Sequence, residues 1–182
     1  GMAGAATAIA AGEYHTCAIQ AETGKVVCWG HSSYGQTAPP ASVNGTVGTA
    51  TAIAAGEFHN CAIQASTGKV VCWGENTSLQ AMPPAEVNGV DGTATAISAG
   101  SNHSCAIQAD TGKAVCWGNI FLPEVTPPLY HAETPPASVD GTDGSATAIS
   151  AGSNHICAIQ AETGKVVCWG YNEDGQATPP PS

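Results

Sequence analysis

One segment of this chain is written four times. Ala6-Thr-Ala-Ile-Ala-Ala-Gly12 returns with little change at 50–56, 94–100 and 146–152. Each copy leads, three residues on, to a histidine: His15, His59, His103 and His155. The first two steps are 44 residues long and the third is 52. Cys-Ala-Ile-Gln follows, then a Thr-Gly-Lys turn, then Val-Cys-Trp-Gly, so the cysteines fall in pairs: Cys17 and Cys28, Cys61 and Cys72, Cys105 and Cys116, Cys157 and Cys168. A repeat of this size is one small structural unit that cannot bury its apolar face alone and must stack on copies of itself.

The signals inside a unit are for strands. Thr7 to Ala11 is short and apolar and stops at Gly12. From His15 to Gln20 the side chains alternate, with His15, Cys17 and Ile19 on one face and Thr16, Ala18 and Gln20 on the other. Val26 to Trp29 is a third run of β-formers. Ala21-Glu-Thr-Gly24 between the last two reads as a hairpin loop, and Ser42 to Asn44 as a weaker fourth strand. Gly and Pro punctuate the chain too often for helices. The expected fold is therefore all-β, with blades of a β-propeller at approximately 5–48, 49–92, 93–144 and 145–182, each of four antiparallel strands.

Composition removes whole classes of function. The chain has four Lys, no Arg and a formal charge of −10, so it lacks the clustered cations that phosphate backbones and anionic membranes require. No apolar run approaches the roughly 20 residues that span a bilayer. Gly1-Met2-Ala3-Gly4 has neither a basic n-region nor a long apolar h-region, so the sequence as it stands is expected to carry no signal peptide. No Ser-His-Asp set, phosphate loop or dinucleotide fingerprint is present, and no enzyme or cofactor is expected.

Three motifs in order carry a family likeness. Gly152-Ser-Asn-His155-Ile-Cys-Ala158-Ile159, then Gly164-Lys-Val166-Val-Cys-Trp169-Gly170, then Tyr171-Asn172-Glu-Asp-Gly175-Gln176 resembles the regulator of chromosome condensation repeat. The closing Gly-Gln is kept at Gly35-Gln36, altered to Leu79-Gln80 in unit two and lost in unit three. The resemblance implies blades, and family members usually close a ring of seven. It does not imply one function: the family includes exchange factors acting on chromatin, ultraviolet-light receptors and secreted inhibitors of β-lactamases. A chain this acidic suits the first poorly, and one without Arg suits the second poorly. Trp29, Trp73, Trp117 and Trp169 read as packing residues.

The cysteine spacing has a geometric reading. If Gln20 pairs with Lys25 across a four-residue loop, Cys17 lies directly opposite Cys28 on one face, close enough to bridge. A loop one residue shorter would separate them. Four cross-strand disulfides are the expectation, and with them an extracellular or periplasmic location. The alternatives are eight reduced, buried thiols or a zinc site, although a ten-residue gap is not usual zinc spacing. The repeated histidines read as structural, with a ring nitrogen bonded to backbone; a ring of them holding a metal or anion is the less favoured alternative. Asn172-Glu-Asp174-Gly and Asp140-Gly-Thr-Asp143-Gly lack a full calcium ligand set and read as turns.

Unit three breaks the symmetry. Its eight extra residues bring Ile120, Phe121, Leu122, Leu129, Tyr130 and His131 into one loop. Insertions in repeat proteins map to one face, often the binding face, so these six are the candidate partner contacts; the alternative is that the loop folds back over a blade edge or the channel. An open array of four blades leaves sheet faces uncovered. Closure as a four-bladed ring, as half of an eight-bladed homodimer, or as part of a longer array would each solve this, and the dimer is favoured. The function expected is a non-catalytic scaffold for a protein or glycan, or alternatively a purely architectural module of a longer surface or secreted protein.

Overall fold

A computed structural model describes residues 4–121, 130–131 and 134–181. Unit one contains β1 (Ala6–Ala11), β2 (His15–Gln20) and β3 (Val26–Gly30). Unit two contains β4 (Ala50–Ala55), β5 (His59–Gln64) and β6 (Val70–Gly74), and unit three β7 (Ala94–Ala99), β8 (His103–Gln108) and β9 (Ala114–Gly118). A two-residue ribbon, β10 (Ile120–Phe121) with β11 (Tyr130–His131), follows; unit four is β12 (Ala146–Ala151), β13 (His155–Gln160) and β14 (Val166–Gly170). Each unit is a three-stranded antiparallel meander, β1-β2-β3 and its three equivalents. In every first strand the register slips by one residue, at Thr7 in unit one, a bulge that sharpens the local twist.

The expected fourth strand is corrected. Residues 41–44 form a turn, because the Val43 and Asn44 amides both donate back to Pro40 O at 3.0 Å. The Val43 carbonyl accepts from the sheet backbone at Val26 N, 2.9 Å away, and the Ser42 carbonyl from the Gln64 side chain of unit two at 3.0 Å; Val87 and Val139 accept in the same way from Val70 and Ala114. The valine side chain is fully buried in all three cases, so the segment acts as an apolar peg rather than as a strand.

The hairpin sets the register of the rest. Gln20 N–H donates to Lys25 O at 3.0 Å, and the pairing runs on through Ile19↔Val26 to Cys17↔Cys28. Cys17–Cys28, Cys61–Cys72, Cys105–Cys116 and Cys157–Cys168 are disulfides, each across a sequence separation of 11.

Each sheet has two different faces, and the core lies between sheets. The face carrying Cys17, Ile19 and Val26, with the Val43 peg, packs on the opposite face of unit two, which presents Ala62 and Trp73 with Ile53 and Val71 partly buried. The same pairing recurs between units two and three and between units three and four. Inter-unit hydrogen bonds tie the backbones, with Ala50 N donating to Gly24 O and Ala94 N to Gly68 O, both at 2.9 Å. The array remains an arc: the outer faces of units one and four stay exposed at Ile9, Trp29, Ile159 and Val166, so the chain does not close on itself as a four-bladed ring.

Candidate functional site

The first strands of all four units end side by side around one open cavity, lined by Ala11, Gly12 and Glu13 and by their equivalents in units two to four. Glycine at this position is a packing requirement. A Cβ on Gly12 would collide with the Gly56 carbonyl oxygen and with the His15 ring, and Gly56 and Gly100 are hemmed in the same way. The lining is acidic on one side, at Glu13 and Glu57, and neutral on the other, at Ser101 and Ser153.

Beside the acidic side lies an aromatic patch. Tyr14 and Phe58, the residues after those glutamates, stack with centroids 5.3 Å apart and planes 11° from parallel. Tyr34 lies 5.1 Å from Phe58 and His31 5.8 Å from it. Tyr14 and Tyr34 are half exposed. The loop holding Tyr34 is fixed by the buried Gln36: its Oε1 accepts from Tyr34 N at 3.0 Å and its Nε2 donates to His31 Nδ1 at 3.0 Å. With Nδ1 accepting, His31 carries its proton on Nε2 and donates it to Ser33 Oγ at 2.9 Å.

Among the described residues, no lysine contributes to the shifts of Glu57 and Tyr14. Partial burial, then repulsion from Glu13 and Glu75, holds the Glu57 carboxyl above its usual range. Its hydrogen bond to Glu13, and then that carboxylate's charge, raise the Tyr14 hydroxyl. The four lysines, Lys25, Lys69, Lys113 and Lys165, follow the hairpins at the other end of the sheets. One face of the array thus presents exposed aromatic rings beside carboxylates.

The histidines of the first three units lie inside the junctions, His155 lies part-buried on the outer face of unit four, and none of the four lines the cavity. His15 Nε2 donates to Asn60 Oδ1 at 2.8 Å, and Asn60 Nδ2 donates to Gln36 O at 2.9 Å. His59 Nε2 donates to Ser104 Oγ at 2.9 Å, and Ser104 passes its own proton to Gln80 O. Both of these rings are therefore latched to the next unit by the side chain that follows that unit's histidine. In unit four that position is Ile156, and among the described residues His103 Nε2 has no partner. Burial holds His59 at about 3 and His103 at about 4, with repulsion from neighbouring histidines adding to it. Among the described residues no cluster of His, Cys, Asp and Glu is arranged to hold a metal ion.

The tryptophans divide by position. Trp73 Nε1 donates to Gln36 O at 3.0 Å and Trp117 Nε1 to Gln80 O at 2.9 Å. Trp169 is buried without such an acceptor among the described residues, as follows from the loss of Gly-Gln in unit three. Trp29 stands exposed at the end of the arc.

Of the candidate contacts in unit three, Leu122 and Leu129 lie outside the described residues. For the rest the backbone pairs Ile120 with His131 and Phe121 with Tyr130. The sequence reading missed the patch at Tyr14, His31, Tyr34 and Phe58. A usable signal was there: the residue before each repeated histidine is Tyr14, Phe58, Asn102 and Asn154, so aromatics occupy it only in the first two units.

No curated protein matches the sequence. Among solved structures, the ectodomain of the Physcomitrella patens receptor kinase CR4 is similar over 92% of this chain and 39% of its own, at 24% identity and a TM-score of 0.69. The ectodomain of the Arabidopsis thaliana receptor kinase ACR4 is similar over 91% and 49%, at 26% identity and a TM-score of 0.63. Prp20p of Saccharomyces cerevisiae, whose binding to Gsp1p and histones has been described, matches over 92% and 46%, at 21% identity and a TM-score of 0.63. The chain thus spans less than half the length of each of these proteins. The family model for the regulator of chromosome condensation (RCC1) repeat matches residues 6–36, 50–80, 94–119 and 146–176, its third match stopping where the unit-three insertion begins. With four matched repeats over most of its length, in blades that superpose on these propellers, the chain belongs to the RCC1 repeat family.

Proposed function

We propose that this protein is a non-catalytic binding scaffold, acting outside the cell or in the periplasm, that engages a protein or glycan through the face carrying Tyr14 and Phe58. The observation that carries the reading is the exposed aromatic patch beside Glu13 and Glu57. Aromatic faces stack on sugar rings and on apolar or cationic side chains, and the adjoining carboxylates can accept hydrogen bonds from hydroxyls or amines. The site lies at the rim of a rigid array, and the unit-three insertion with Ile120, Phe121, Leu122, Leu129, Tyr130 and His131 supplies a further contact. Four disulfides support an oxidising location. Neither nucleic acid nor membrane insertion belongs to this reading, and no cofactor does. The working unit is a ring to which two copies contribute.

The test is retention of partners from secreted proteins and from a glycan array. Tyr14→Ala with Phe58→Ala should abolish capture that the native chain supports; capture unchanged by the double substitution would remove the patch from the reading. A second reading is a purely architectural module of a longer surface or secreted protein, favoured by the exposed outer faces of the two end units. Under it, no partner depends on either the patch or the insertion.

A further inference from the structure

The two ends of the arc carry the two halves of a junction that the chain builds three times internally. At unit four, Ile159 is 40% and Val166 50% exposed, whereas their equivalents Ile63 and Val70 are 4% and 2% exposed. At unit one, Trp29 is 45% exposed, whereas Trp73 is 8% exposed. These side chains are the ones that meet in the internal cores.

The polar groups match as well as the apolar ones. Internally, a histidine reaches the residue after the next unit's histidine, as His15 reaches Asn60 and His59 reaches Ser104. In unit one that residue is Thr16, a hydroxyl on the uncovered face, and among the described residues no unit packs over His155 of unit four. Internally, a tryptophan Nε1 donates to the carbonyl of the preceding unit's Gln36 or Gln80. Unit four keeps this glutamine as Gln176, and its Oε1 accepts from Asp174 N at 2.9 Å just as Gln36 accepts from Tyr34 N. The loop therefore has the shape that receives a tryptophan, and Trp29 is the one left to offer.

We infer that a second copy of this chain is the occupant: its unit one docks on unit four of the first, with Trp29 and Thr16 of one copy meeting Gln176 and His155 of the other. Continuity with the three internal junctions is the ground for choosing a copy over an unrelated partner. Both ends of each copy are satisfied by one two-fold operation, which closes an eight-unit ring. This rests on the reading above that two copies share a ring, and adds to it the faces and atoms that join them. The core residues that meet at the internal junctions are apolar, while each copy carries −10 and Glu13 and Asp174 flank the two end faces; salt should therefore strengthen association by screening repulsion.

The test is the mass in solution by light scattering up to about 100 µM, in low and high salt. The expected particle is a dimer of the 18.1 kDa chain, with Trp29 fluorescence shifting to the blue as concentration rises. Trp29→Arg and Ile159→Asp each alter a side chain exposed in the single copy, so both variants should fold and both should be monomeric. Mixing them restores one native junction and places opposite charges at the other, and should recover dimers. A monomer at every concentration would overturn both the junction and the two-copy reading. A dimer indifferent to both substitutions would overturn the junction alone, and a ladder of larger species would overturn ring closure. Partner capture through Tyr14 and Phe58, measured on the monomeric variants, stands or falls separately.

Discussion

Acid should loosen the stack through its buried histidines. His59 and His103 are almost wholly buried between sheets, and burial above all holds their protonation down to about 3 and about 4. An imidazole in the unfolded chain titrates near 6.5. Below that pH the unfolded state binds protons that the folded state refuses, so stability is complete above 6.5 and falls as pH drops toward the folded values. Each pH unit costs about 1.4 kcal/mol per histidine, so the pair should cost about 5 kcal/mol near pH 4.5. That is a large share of the ~5–15 kcal/mol that holds a typical domain. Asp140, held low by hydrogen bonds from Thr142, and Glu162, held low first by its own amide and then by Ser145, lose their contribution only further into acid. Glu57, raised above the usual range, works in the opposite direction and softens the slope. Guanidinium unfolding followed by tryptophan fluorescence, with disulfides intact, measures the effect at neutral pH and near pH 4.5. His103→Gln should remove about half of the pH dependence. A flat profile across this window, or one untouched by that substitution, would refute the account.

Three further outcomes follow from named contacts. Cys61→Ser with Cys72→Ser opens one short loop and should cost about 3 kcal/mol in chain entropy, measured as a lower denaturation midpoint in non-reducing buffer. Asn60→Ala strips its partner from His15 Nε2 and one of two donors from Gln36 O inside a buried junction and should cost about 2–3 kcal/mol by the same measurement. Leu79 holds φ 62° where Gly35 and Gly175 stand in the sister loops, so Leu79→Gly should stabilise by about 1 kcal/mol despite glycine's entropy; a fall in thermal midpoint would show the leucine to be held by contacts instead.

The sequence made the strands and their faces legible because both follow from alternation within a few residues. His15 to Gln20 is a strand with the bounds its pattern marks, and the hairpin length places Cys17 opposite Cys28. Ser42 to Asn44 misled because Val43 is apolar, whereas its conformation is set by amides turning back to the Pro40 carbonyl. Trp29 and Trp73 stand in identical Val-Val-Cys-Trp-Gly strings, yet only one is covered, because burial depends on whether a unit precedes it. The patch was hidden for a related reason: Tyr14 and Phe58 are 44 residues apart in the chain and become one surface only when units stack. The histidine latch likewise needs a residue from the neighbouring repeat, which no single repeat displays.

That latch has a consequence for how such a chain can grow. Lock and key are carried on opposite sides of one segment, so any duplicated segment arrives already compatible with its parent. Lengthening the array demands no newly invented contact, and the tolerance of Ile156 beside His103 shows that a copy can lose its polar key and still seat. Recombination can therefore insert or delete whole modules while selection edits rim positions such as 14 and 58 one at a time, leaving the stacking grammar untouched.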